Sequence, residues 1–130
     1  MLKVDRKSVL DLIKGKNRKP GFLVLVKDVG LVTVSDKDLA ANGGLPLNSI
    51  PIPVISYDDE IECAFDAIWH VDGRAGVERA QALELTYLEF VQKDAVLTKA
   101  YNAFIEKKAS ALLDQVIEDV EFKEWDVVFQ

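Results

Sequence analysis

The stretch that decides the fold is residues 22–34, FLVLVKDVGLVTV, in which two apolar runs flank a short polar segment. The runs at 22–27 and 31–34 are rich in Val and Leu, and such residues favour the extended backbone of a strand. Asp28 and Gly30, which lie between the runs, are typical of a tight turn. The stretch therefore predicts an antiparallel β-hairpin, the first part of a small sheet.

Short helices are predicted on both sides of the hairpin. Toward the N-terminus, Asp5 precedes apolar residues at helical spacing, and Gly15 offers a stop. Toward the C-terminus, Ser35 and Asp38 are spaced as in a capping box, so one or two helical turns should follow and end at residues 42–44, Asn-Gly-Gly. We expect the hairpin to lie between these two helical segments.

Two more strands are predicted outside the hairpin. Pro46, Pro51 and Pro53 force the chain around them to run extended, and a strand is expected near residues 52–56. The tail at residues 121–129 carries large apolar side chains in near alternation, which is typical of a terminal strand with a bulge. This tail could complete the sheet of the hairpin.

From residue 58 onward the apolar residues repeat with the period of a helix. Helices are predicted at residues 58–70, 75–92 and 94–119, with a break at residues 71–73. The loop after the second of these helices is so short that the last two form either an antiparallel pair or one kinked rod. The predicted fold class is therefore α+β, with a small antiparallel sheet packed on three helices in a single domain over residues 1–130.

Charge is divided along the sequence. Residues 1–30 hold eight Lys or Arg and three Asp, residues 31–130 hold eight Lys or Arg and nineteen Asp or Glu, and the net charge is −6. An acidic surface attracts basic partners and repels nucleic acid, so we expect a protein partner. The longest apolar run, residues 21–26, is too short to cross a bilayer, and no secretory signal opens the sequence. With Cys63 as the only cysteine, these features predict a cytoplasmic protein with no membrane partner.

One face of the helix at 58–70 carries Asp58, Glu62, Asp66 and His70 at intervals of four residues. Carboxylate oxygens and an imidazole nitrogen are ligands for Mn²⁺, Fe²⁺ or Zn²⁺, so a metal-binding domain or enzyme that uses these four residues is one alternative. Metal sites in helical bundles take ligands from at least two helices, however, and the chain has no second histidine. Stabilisation of the helix start by negative charge explains the first-turn acidic residues without a metal.

A basic cluster precedes the hairpin and consists of Lys14, Lys16, Arg18 and Lys19. Such a cluster could bind phosphate, so a nucleic-acid accessory protein that uses the segment 14–19 is a second alternative. A solvated loop explains the same charges, because no aromatic side chains are interleaved with them. The sequence contains no phosphate-binding loop and no nucleophile motif, so it supports no enzymatic activity and predicts no catalytic residue and no cofactor.

The leading hypothesis is a non-enzymatic protein-binding module of bacterial or phage origin, such as an acidic inhibitor, an immunity-type protein or an assembly adaptor. An acidic face steers a basic partner, and Trp is enriched where partners bind most tightly. The predicted contact residues are Asp58, Asp59, Glu62, Asp66, Trp69 and Trp125. The inhibitor form depends on whether the acidic residues at 58, 59, 60, 62, 66, 114, 118, 119 and 121 converge on one surface. A strand edge or the helical pair could instead support a homodimer.

Overall fold

The computed structural model describes residues 1–16 and 21–130. Its elements follow in the order β1 (Leu2–Val4), α1 (Arg6–Ile13), β2 (Phe22–Val26), β3 (Gly30–Val34), α2 (Asp36–Asn42), β4 (Ser49–Pro51), α3 (Tyr57–Ala82), α4 (Tyr87–Gln92), α5 (Ala95–Phe122) and β5 (Val127–Phe129). The fold is α+β, as the sequence predicts. None of the helices in the described residues combines the length and the apolar character that crossing a bilayer requires.

The contacts divide the chain into two compact units. We call the first, Met1–Val54 with Ser110–Gln130, the sheet unit, and the second, Ile55–Ala109, the helical unit. The prediction of a single domain over residues 1–130 stays a prediction, and each unit is described by itself.

The hairpin of the sheet unit forms where residues 22–34 predict it. β2 pairs antiparallel with β3 on one side and with β4 on the other, so that Val24 lies opposite both Val32 and Pro51. β4 ends before the predicted strand at 52–56, because Ile52 donates the last hydrogen bond to the Leu23 carbonyl, at 2.8 Å, and Pro53 has no N–H to continue the ladder. The fully buried side chains of this unit include Val9, Ile13, Val24, Leu25 and Leu113.

The C-terminal strand differs from its prediction in length and in partner. α5 extends to Phe122, Glu124 adopts a positive φ of 57°, and only Val127–Phe129 is extended, so the strand does not span 121–129. β5 pairs in parallel with β1 in a separate two-stranded sheet and does not join the sheet of the hairpin. β1 was not predicted from the sequence, because three residues are too few to show an alternating pattern.

In the helical unit the predicted break occurs at Gly73, which lies inside α3 with φ of 63° and ψ of −152°. The predicted helix at 75–92 is two helices, because Glu84 takes a positive φ of 56° after α3 and Thr86 then caps α4. The third predicted helix, at 94–119, corresponds to α5, where the Asp94 carboxylate accepts hydrogen bonds from the backbone N–H groups of residues 96 and 97. The buried core of the unit is Ala64, Ala67, Ile68, Val77, Ala80, Phe90, Val91 and Leu97.

Candidate functional site

An aromatic cluster stands on the surface of the helical unit. Phe65 and Trp69 lie four residues apart on one face of α3, and their rings stack with centroids 6.1 Å apart. Tyr87, the first residue of α4, meets Phe65 edge-on at 5.3 Å. Trp69 nevertheless leaves 53% of its area exposed. A large aromatic side chain that stacks on a second ring and is open to solvent is suited to contact another molecule.

Two neighbouring open depressions lie beside this cluster, between α3 and α5. The first has a volume of about 370 Å³ and is lined by Phe65, Asp66, Trp69, His70 and Phe104. The second, of about 430 Å³, shares His70 and Phe104 with the first and continues along Val71, Val96, Lys99, Ala100, Ala103 and Lys107. His70 and Phe104, which contact each other edge-on at 6.0 Å, thus line both depressions. We call the combined depression the α3–α5 groove.

The two edges of the α3–α5 groove carry opposite charge. Asp66 lines the α3 side, with Glu62 one turn before it on the same helix face, whereas Lys99 and Lys107 line the α5 side. In the part of the chain that the structure describes, none of these four side chains forms an ion pair. Asp58, one turn before Glu62, is also exposed. The acidic side chains of this helix face are therefore available to a bound molecule.

Asp59 has a different role from its neighbours. Its carboxylate accepts a hydrogen bond from the backbone N–H of Ser56, at 3.0 Å, and lies 3.7 Å from the ammonium of Lys108. The hydrogen bond from Ser56, aided by the positive charge of Lys108, lowers the pKa of Asp59. Asp59 thus stabilises the start of α3, and its assignment as a contact residue stays a prediction.

Two titratable groups of the helical unit are held in their neutral forms. Burial raises the pKa of the Cys63 thiol, and the nearby charges of Asp66 and Glu62 raise it further. Burial likewise raises the pKa of Tyr101 to about 12, with a smaller contribution from Glu60. Because the thiolate is the nucleophilic form of cysteine, this environment disfavours covalent chemistry at Cys63.

Trp125 is a core residue of the sheet unit. Its ring is only 9% exposed and belongs to the buried part of the sheet unit, and the Lys123 ammonium lies 5.8 Å from the ring centre. The enrichment of Trp at binding sites suggested Trp125 as a contact residue, but the most exposed aromatic side chain of the tail is Phe122, the last residue of α5, which is 89% exposed. The aromatic side chain that the tail presents to solvent is therefore Phe122, and Trp125 is a core residue.

The two alternative sites are the metal site on α3, which the structure describes in full, and the basic cluster at 14–19, which it describes only in part. Among residues 1–16 and 21–130, no group of three or more His, Cys, Asp or Glu side chains is arranged to hold a metal ion, so the hypothesis of a metal at Asp58, Glu62, Asp66 and His70 gains no support there. Of the basic cluster, Lys14 and Lys16 have their ammonium groups 3.9 Å and 3.6 Å from the Asp11 carboxylate. Arg18 and Lys19 lie outside the described residues.

The nine acidic residues of the inhibitor hypothesis fall in both units. Those from 58 to 66 belong to the helical unit, and those from 114 to 121 belong to the sheet unit. Asp114 is paired with Arg6 in the sheet unit, at 3.6 Å. Convergence of all nine on one surface stays a prediction.

Sequence reasoning identified the acidic face and Trp69 but missed the opposite wall of the groove. Phe104 belongs to an apolar stripe on α5, and such a stripe is read as core because the pattern does not show which of its members stay half-exposed. In comparisons with protein-family models, curated proteins and solved structures, nothing matches this chain. Function is therefore inferred from the geometry of the groove.

Proposed function

We propose that this chain is a non-enzymatic protein-binding module whose α3–α5 groove receives an amphipathic, basic helix of a partner protein. The observation that carries the proposal is the placement of Trp69. Its side chain is half-exposed, stacks on Phe65 and lines an apolar depression. Tryptophan is the residue most enriched among those that dominate binding energy. A groove between two helices also matches the way in which amphipathic helices are bound, with apolar anchors one turn apart.

The charges at the groove select the polarity of the partner. Asp66, Glu62 and Asp58 project from one face of α3, and a helix with Lys or Arg along its flank would meet them. Lys99 and Lys107 on the α5 side would oppose a second row of cations, so only one flank of the ligand is expected to be basic. The net charge of −6 adds a long-range attraction for such a partner.

The protein classes suggested by the sequence are compatible with such a groove. An acidic inhibitor, an immunity-type protein or an assembly adaptor, of bacterial or phage origin, would use such a groove to bind a basic segment of its target. A cytoplasmic location is consistent with Cys63, which is buried as a free thiol. A second copy of the chain is the competing occupant of the groove, and sedimentation analysis of the purified protein decides between a homodimer and a free groove.

Selection from a random peptide display library tests the proposal without knowledge of the natural partner. The library is selected on the wild type alone, and the selected peptides are then measured on Trp69→Ala and on Phe122→Ala, the control, which removes a large exposed aromatic ring that does not line the groove. Selected peptides should carry apolar residues three or four positions apart and Lys or Arg on one flank.

The affinities of the selected peptides give the quantitative result. Trp69→Ala should weaken binding by roughly thirtyfold, since truncation of a dominant contact residue costs about 2 kcal/mol or more. The double change Glu62→Gln and Asp66→Asn should slow association, most clearly at low salt. Phe122→Ala should change neither quantity. The proposal is wrong if the selected peptides bind Trp69→Ala as tightly as wild type, or if they show no excess of basic residues.

A further inference from the structure

The sheet unit contains a larger cavity that the proposed function does not use. Its volume is about 890 Å³, within the range of sites that hold small molecules. Leu12 of α1, Leu23 and Leu31 of the hairpin, Ile52 after β4 and Val116 of α5 supply apolar walls. All of these residues belong to the sheet unit, so the cavity is a feature of that unit alone.

Three of the described polar side chains line the same cavity. Thr33 is exposed on β3, and Gln115 and Asp119 lie one turn apart on α5. In the described part of the chain, Asp119 has no ion-pair partner, so its carboxylate is available to a ligand. The described lining residues therefore combine a long apolar surface with one negative charge and two neutral hydrogen-bonding groups.

We infer that this cavity binds a small amphipathic cation, a molecule with an aliphatic body and one ammonium or guanidinium group. The aliphatic body would displace water from the walls formed by Leu23, Leu31 and Val116. The cationic group would donate charge-assisted hydrogen bonds to Asp119, with the amide oxygen of Gln115 as a second acceptor. An anionic group of the same size would meet the Asp119 carboxylate and lose affinity, so the site distinguishes ligands by the sign of their charge.

Binding of decylammonium and decyl sulfate, each below its micelle concentration, and of decanol, below its solubility limit, tests this inference. The three probes share one aliphatic chain and differ in the charge of the head group. Titration is followed by calorimetry and by backbone amide chemical shifts. Decylammonium should bind saturably and shift the amide signals of residues 23, 31 and 116, and decyl sulfate should bind at least about tenfold more weakly, as expected when a charge-assisted hydrogen bond is lost.

Variants place the binding in the cavity. Asp119→Asn should weaken decylammonium binding about tenfold, whereas Glu118→Gln, an exposed neighbour outside the cavity, should not. Thr33→Phe should reduce binding of all three probes by filling the cavity, and the position tolerates the change because it is exposed on a strand, where aromatic residues are favoured.

The inference is overturned by the absence of saturable decylammonium binding, by equal affinity for decyl sulfate or decanol, or by equal effects of Asp119→Asn and Glu118→Gln. Trp69→Ala lies in the helical unit and should leave decylammonium binding unchanged. The peptide selection and the probe titration thus succeed or fail separately.

Discussion

Ser56 and Asp59 cap α3 reciprocally. The Ser56 hydroxyl accepts the Asp59 N–H at 3.1 Å, and the Asp59 carboxylate accepts the Ser56 N–H at 3.0 Å. The first turn of α3 would otherwise leave these N–H groups without partners. The capping pair therefore fixes where the helix that carries Trp69 begins.

Replacement of Asp59 by alanine should lower the free energy of unfolding by about 1 kcal/mol near pH 7, the typical cost of a lost helix cap. The pKa of Asp59 in the folded chain lies below its ordinary value of 3.8, so the folded state binds fewer protons than the unfolded state, and the carboxylate stabilises the fold above that value. The difference between wild type and Asp59→Ala should shrink as the pH falls through the lowered pKa.

Urea unfolding followed by circular dichroism, near pH 7 and at about pH 2.5, measures this difference. Asp58→Ala is the matched control, because Asp58 is an exposed acidic residue in the same turn. A destabilisation by Asp59→Ala that is the same at both pH values would contradict the assignment of the stabilising form to the carboxylate.

The two tryptophans should differ strongly in their contact with solvent. Trp69→Phe leaves only the buried Trp125, so its emission should lie at short wavelength and acrylamide should quench it weakly. Trp125→Phe leaves only the half-exposed Trp69, whose emission should lie at longer wavelength and be quenched several-fold more efficiently, roughly in proportion to exposure. Equal quenching constants in the two variants would show that the assignment of surface and core tryptophan is wrong.

Gly73 should be the least replaceable of the helical unit's turn residues. Its φ of 63° with ψ of −152° belongs to a backbone region that is essentially reserved for glycine, so Gly73→Asn should cost about 1–3 kcal/mol of stability. Gly43→Asn in the sheet unit is the control, because Gly43 has φ of 73° and ψ of 21°, a left-handed conformation that asparagine tolerates. Thermal unfolding of both variants measures how much stability each loses. Equal losses for Gly73→Asn and Gly43→Asn would contradict the prediction.

Cys63 should react slowly with thiol reagents in the folded chain. Burial and the adjacent carboxylates raise its pKa, so little thiolate forms near pH 8, and the sulfur is also shielded. Labelling with a chromogenic disulfide should be at least about tenfold slower in buffer than in concentrated urea. Since the chain has one cysteine, the absorbance change reports that residue alone. Equal rates in the two solvents would place the thiol at the surface.

The parts of the fold that depend on local sequence were predictable. The hairpin at residues 22–34, the capping box from Ser35 to Asp38 and the break at Gly73 each depend on residues within a few positions of one another. The pairing of β1 with β5 was not predictable, because two three-residue segments carry too little pattern to indicate a partner at the other end of the sequence.

The α3 side of the candidate site was predictable from the sequence, whereas the α5 side was not. Spacing along one helix places Glu62, Asp66 and Trp69 near one another, and that part of the site follows from the sequence alone. The apolar wall that Phe104 contributes requires knowledge of how α5 lies against α3, which no residue of α5 encodes by itself. Glu84, which ends α3, adopts a positive φ that a sequence pattern does not indicate for glutamate.

The order of the two units along the chain has a consequence for biosynthesis. The helical unit is one continuous segment, whereas the sheet unit is interrupted by it and is completed only by residues 110–130. As the chain leaves the ribosome, the helical unit can therefore fold while β1 still lacks its partner, β5. The backbone N–H and C=O groups of a strand without a partner can pair with other chains, so β1 is open to such pairing until β5 has been synthesised.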